Sequence, residues 1–134
     1  MPWTISKTFT FEAAHQLPYH DGKCQRLHGH SWQCSLYLGS SQLIETGSKR
    51  QMVMDYSDVK AAFKPILDDY LDHHYLNDTL GLESPTSEAI SRWIYDRVKP
   101  ILPDLLGVKI NETCTSSCYY SPEPESSPTR SFVD

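Results

Sequence analysis

A chain of 134 residues, 39% hydrophobic and 22% charged, suits one domain with a buried core and is too apolar to be disordered. Its formal charge of −5, with no Lys/Arg-rich run, argues against a nucleic-acid partner, although a small anion could still bind in a locally basic pocket. MPWTISKTFTFEAAH does not read as a signal peptide and no apolar run approaches the roughly 20 residues that span a bilayer, so a cytoplasmic, membrane-free protein with reduced cysteines is expected.

In chain order, TISKTFTFEA alternates as a strand, with Ile5, Phe9 and Phe11 on one side. From His30, HSWQCSLYLG places Trp32, Cys34, Leu36 and Leu38 on one face of a half-buried antiparallel strand. Residues 39–50 read as a loop, after which QMVM is expected to rejoin the sheet briefly. A helix from about Ser57 carries Val59, Ala62, Phe63, Ile66 and Tyr70 on one side, with Asp55 or Ser57 as cap. Pro65 predicts a kink or an early end to it. A second helix is expected with Ser84 as cap, Pro85 in its first turn, and Ile90, Trp93, Ile94, Val98 and Ile101 as its stripe. VKINETCTSSCYY reads as a closing hairpin with its turn near Thr115 to Ser117. The expected organisation is one domain over residues 1–121 and a flexible Ser/Pro-rich tail over 122–134. Strand–strand–helix–helix–strand–strand order predicts an α+β fold: an antiparallel four-stranded sheet with two helices on one face. The other face would be left for a subunit contact, so an oligomer is expected.

Three histidines carry the first chemical signal. His28 and His30 lie two apart on a strand, so their rings point the same way about 6.5–7 Å apart, and His15 ends the neighbouring strand. Three imidazoles leave one tetrahedral position open, the arrangement of a catalytic zinc, although imidazole ligands suit several transition metals. Cys24 lies four residues before His28, and a thiol beside a metal can act as base or nucleophile. Alternatively, Cys24 closes the metal site of a non-catalytic zinc- or pterin-binding module. Cys34 has core parity, and Cys114 and Cys118 carry no assigned chemistry. In LDHHYLN, Asp72 can orient His73 or His74, provided that the backbone past the helix is irregular. Glu112 shares the parity of Val108 and Ile110, so its carboxylate needs a cation or paired N–H donors, such as a guanidine-like ligand edge. Thr86 and Glu88 stand at the start of the second helix, where capping alone would explain them.

FEAAHQL, C-x-x-x-HGH, VMDYSDVK, LDHHYLN, PTSEA and ETCTSSC occur in this order between residues 9 and 118. Together they resemble the 6-pyruvoyl-tetrahydropterin synthase family, and more closely its bacterial 6-carboxy-tetrahydropterin synthase branch of 7-deazaguanine (queuosine) biosynthesis. The resemblance implies the tunnelling (T-) fold, ββααββ, in hexamers with active sites between subunits. It implies one zinc ion (Zn2+) per subunit on His15, His28 and His30, a catalytic thiol at Cys24, and Asp72 with His73 completing the proton-transfer groups. Glu112 would anchor the pterin ring, with Thr86 and Glu88 in support. The implied reaction turns 7,8-dihydroneopterin triphosphate into 6-carboxy-5,6,7,8-tetrahydropterin, acetaldehyde and triphosphate. The other branch of the family would eliminate triphosphate without the C–C cleavage, giving a 6-pyruvoyl product. Ser117, where glycine is expected, and the tail depart from the pattern. Lys23, Arg26 and His20 are the cations nearest in sequence to meet a triphosphate.

Overall fold

A computed structural model describes residues 2–122, so all but the first residue of the expected tail lies outside the described residues. Two long strands, β1 (Trp3–His15) and β2 (His28–Ser40), form an antiparallel pair in unbroken register from Trp3 opposite Ser40 to His15 opposite His28. After the loop come helix α1 (Tyr56–Ile66), the short strand β3 (His74–Tyr75), a single helical turn α2 (Leu76–Thr79) and helix α3 (Ser87–Val98). Strands β4 (Leu105–Thr113) and β5 (Ser116–Tyr120) close the chain. The sheet order is β3-β1-β2-β4-β5, with β3 parallel to β1 and the other pairs antiparallel. The sheet is therefore mixed and five-stranded, not the expected antiparallel four. A two-residue strand has no periodicity to detect, and its pairing comes from the backbone of β1.

The register puts Phe9, Phe11 and Ala13 of β1, Trp32, Cys34, Leu36 and Leu38 of β2, and Val108 and Ile110 of β4 on one buried face. Val59, Phe63 and Ile66 of α1 and Ile90, Ile94 and Val98 of α3 join them in one core, with the Phe9 and Phe63 rings 4.8 Å apart. Thr4, Ser6, Thr8, Thr10 and Glu12 alternate outward and are exposed. Both helices thus cover one face, as expected, and β1 leaves a polar second face.

Helix ends differ from the sequence reading in instructive ways. Asp55 is the cap of α1, accepting the Ser57 N–H at 2.9 Å. The α-helix runs through Pro65 to Ile66 and continues as a π-turn over Leu67–Leu71, where the Asp72 N–H donates back to the Leu67 carbonyl. Helix α3 begins later than expected. Thr86, not Ser84, caps it by accepting the Ala89 N–H at 3.1 Å, while the Ser84 carbonyl accepts from Thr86 N–H. Ile101 falls beyond the helix and is exposed, so it does not belong to the stripe. QMVM does not rejoin the sheet; Ile44 pairs with Met52 and Gln51 through two backbone bonds inside the loop. The closing hairpin turns at Cys114 and Thr115, so Ser117 sits in the ladder opposite Asn111 and needs no glycine. All four cysteines are free, and among the described residues no helix is long and apolar enough to cross a membrane.

Candidate metal centre and active site

His15 is the last residue of β1 and His28 the first of β2, directly opposite each other, and His30 stands opposite Ala13. Their shared core parity brings the three rings together at the mouth of the buried face, with centroids 4.5, 4.9 and 5.2 Å apart. Trp32 forms the floor: its ring lies 4.9 Å from His15 and 5.2 Å from His30, and its Nε1–H donates to the Ala13 carbonyl. His15 is completely buried, and burial holds it below the usual imidazole range despite the Pro85 carbonyl and Glu112. Burial lowers His30 in the same direction, with Glu112 opposing. Both therefore favour the neutral ring, which is the ligating form.

Hydrogen bonds at the far side of two rings decide what the near side offers. Nδ1–H of His15 donates to the Pro85 carbonyl at 2.8 Å, and Nδ1–H of His28 donates to the Arg26 carbonyl at 2.7 Å. A carbonyl can only accept, so in the neutral rings Nε2 carries the lone pair. The Nε2 atoms of His15, His28 and His30 are all buried without a hydrogen-bond partner. Buried polar atoms are normally satisfied, so three orphaned nitrogens converging on one point fit a divalent metal such as zinc. Glu112 completes the group, its ligand oxygen and the three nitrogens all lying within 4.8 Å of one another. Cys24 is not part of it, so the alternative in which the thiol closes the metal site has no geometric support.

Cys24 lies in a 3₁₀ turn, Lys23–Gln25, held through its carbonyl by the Leu17 N–H. It lines a cavity of about 310 Å³ with Lys23, His28, Gly29, His30 and Glu112. Glu112 also borders a second cavity of about 440 Å³ that includes Gln33, Asn111 and Thr113. Cys34, by contrast, is sealed in the core, where burial pushes its thiol far up.

Asp72 and His73 follow the π-turn, on backbone as irregular as the sequence required: His73 has φ +62°. Glu12 clamps both through its backbone. Its N–H donates to Asp72 Oδ1 at 2.9 Å, and its carbonyl accepts from His73 N–H. The Glu12 N–H is the main reason the Asp72 carboxyl sits below its usual range, with His73 adding to it. His73 Nδ1 is 3.1 Å from Asp72 Oδ1, whereas the His74 ring is occupied with the Asp68 carbonyl, which selects His73 as the partner. His73 is 79% exposed and lines a cavity of about 460 Å³ with Glu12, Ser31 and Tyr75, which shares Gly29 and His30 with the cavity of Cys24. Glu12 and Ser31 lie on the outward face of the β1–β2 pair and are joined at 2.7 Å.

Thr86 is spent on capping α3, and Glu88 is exposed in its first turn. The PTSEA segment reaches the histidines through the Pro85 carbonyl instead. That contact, the Arg26 carbonyl and the Glu12 clamp escaped the sequence reading, since a main-chain group has no residue signature.

The family model described as 6-pyruvoyl tetrahydropterin synthase matches residues 4–123. The chain is 55% identical over 122 residues to the 6-carboxy-5,6,7,8-tetrahydropterin synthase of Synechocystis sp., covering 90% of this chain and 95% of that one. It is 35% identical to the enzyme of the same name from Haemophilus influenzae, covering 87% and 96%. The structure of Caenorhabditis elegans 6-pyruvoyl tetrahydropterin synthase superposes with a TM-score of 0.76 at 25% identity, covering 90% of this chain and 96% of that one.

Proposed function

The chain belongs to the 6-pyruvoyl tetrahydropterin synthase family, and from that membership we propose that it is a 6-carboxy-5,6,7,8-tetrahydropterin synthase of 7-deazaguanine biosynthesis. This lyase converts 7,8-dihydroneopterin triphosphate and one water molecule into 6-carboxy-5,6,7,8-tetrahydropterin, acetaldehyde and triphosphate. The single observation that carries the reading is the convergence of three orphaned imidazole nitrogens beside a cavity that also holds Cys24.

His15, His28 and His30 hold the metal, taken here as zinc, one per subunit. When bound, it supplies Lewis acidity that makes protons on the substrate side chain easier to remove. Cys24 takes a proton from that side chain on one face of the substrate. His73, kept in orientation by Asp72, gives or takes a proton on the other. Triphosphate then leaves by elimination, met by Lys23 at the cavity wall, and C–C cleavage releases acetaldehyde. The Glu112 carboxylate pairs with the guanidine-like edge of the pterin, for which the adjoining 440 Å³ cavity has room. Thr86 and Glu88 support the segment whose Pro85 carbonyl orients His15. The enzyme works in the cytoplasm as a homo-oligomer, a hexamer with its sites between subunits. Cys24 and His73 line adjoining cavities that meet at Gly29 and His30, and a site between subunits would pair one chain's thiol with a neighbour's Asp72–His73.

Incubating zinc-loaded protein with dihydroneopterin triphosphate tests this reading. Acetaldehyde together with a 6-carboxy-tetrahydropterin is the expected result. Triphosphate and a 6-pyruvoyl product without acetaldehyde would move the chain to the other branch of the family.

A further inference from the structure

Glu112 stands where the proposed pterin anchor is needed, yet its carboxylate is turned toward the histidines. Oε2 lies 3.3 Å from Nε2 of His15 and 3.3 Å from Nε2 of His30. A charge-assisted hydrogen bond between these groups would be shorter, about 2.7–2.9 Å, and aligned. Neither nitrogen makes one. The His15 ring spends its Nδ1–H on Pro85, so the neutral ring presents a lone pair at Nε2, which repels a carboxylate oxygen. A cation between them removes the repulsion. Zinc bonds of about 2.0–2.1 Å arranged tetrahedrally put neighbouring ligand atoms about 3.3–3.4 Å apart, the spacing seen from Glu112 to His15 and to His30, with the His28 nitrogen within 4.8 Å.

We propose that Glu112 is a displaceable fourth metal ligand, closing the coordination sphere in the substrate-free enzyme and swinging to the pterin ring when substrate binds. The inference rests on the pterin-anchor reading above and adds a second partner for the same carboxylate. Glu112 borders both the Cys24 cavity and the larger one beside Asn111, so a side-chain rotation exchanges one partner for the other. A carboxylate that grips two adjacent N–H groups has both oxygens engaged and cannot hold the metal in the same pose. While it is a ligand, its charge offsets that of the metal and damps Lewis acidity. Full acidity would then arise only with a pterin seated.

The test uses full-length wild type, Glu112→Ala, Glu112→Gln and His28→Ala, each checked for native circular dichroism. Zinc dissociation constants are measured by chelator competition, and the visible spectrum of the Co2+-substituted protein is recorded with and without pterin. Pterin lacking any side chain is the probe because it has no hydroxyl to reach the metal. Expected are a loss of zinc affinity of at least about 10-fold in Glu112→Ala and a changed cobalt spectrum. Pterin should shift the wild-type spectrum toward that of Glu112→Ala and leave the variant's own spectrum still. Wild-type affinity and spectrum in both Glu112 variants would overturn the proposal, as would a wild-type spectrum that pterin does not move. Unchanged zinc affinity in His28→Ala is a separate failure: it would sink the histidine metal site itself.

Discussion

The three imidazoles do not contribute equally to the fold. His15 is fully buried, bonded to Pro85 and packed on Trp32, whereas His28 is half-buried and bonded to the nearby Arg26 carbonyl. His15→Ala should therefore lose both metal and stability, by about 1–3 kcal/mol for the stranded carbonyl alone. His28→Ala should lose mainly metal, and urea unfolding of the metal-free variants separates the two. Cys24→Ala should keep its zinc and lose turnover by at least about 100-fold, the usual scale for a proton-transfer group. Metal analysis beside the acetaldehyde assay checks it; loss of zinc would make the thiol a ligand. Thr86→Ala should cost about 1 kcal/mol as a lost cap and Thr86→Ser much less. Any effect on KM surviving in a stable Thr86→Ser would mark a substrate role. His28-Gly29-His30 was legible because strand parity alone puts two rings on one side, and Glu112 was legible by the same parity.

The elements around Asp72 show how a local defect is put to use. Helix α1 passes through Pro65 into a wider π-turn, which delivers Asp72 and His73 to the edge of β1. The Glu12 N–H, more than His73, then lowers the Asp72 carboxyl. Because the folded pKa lies below the ordinary value of 3.8, the stabilisation is present above that value and is lost as pH falls through the folded one. Asp72→Asn should thus be less stable than wild type near neutrality and converge with it in acid, flattening the acid limb of a urea-midpoint titration below about pH 4. An acid limb identical to wild type would mean that the clamp adds nothing. At the helix itself, Phe63 is fully buried against Phe9, and Phe63→Ala should cost about 3–5 kcal/mol by equilibrium unfolding. The sequence showed that the helix breaks near Pro65 but not where the chain goes next, because that depends on the Glu12 backbone groups of a strand far earlier in the sequence.

Across the whole molecule, the β1–β2 pair divides its duties by face. The inward face carries the core and ends in the histidines, while the outward face carries Ser6, Thr8, Thr10 and Glu12 and the cavity containing His73. Most of β1 pairs on its outer edge with no strand among the described residues, since β3 meets only Ala13 and Ala14. If two chains build each site, two inactive variants should rescue each other. Cys24→Ala and His73→Ala, dissociated together and reassembled, should regain turnover that neither has alone. Failure to regain it, with sedimentation confirming mixed oligomers, would put both groups in one chain's site.

Parity, helix stripes and the proline and Asx signals determined which residues face inward, where α1 and α3 lie, and which side chains can meet a metal. These are properties of covalent neighbours, whose spacing is set by backbone geometry. Only the tertiary structure decided that a two-residue strand joins the sheet in parallel, that Pro85 and Arg26 orient His15 and His28, and that Glu112 turns to the imidazoles. Each of these depends on main-chain groups or rotamers brought together from distant parts of the chain, and neither residue type nor spacing encodes such meetings directly.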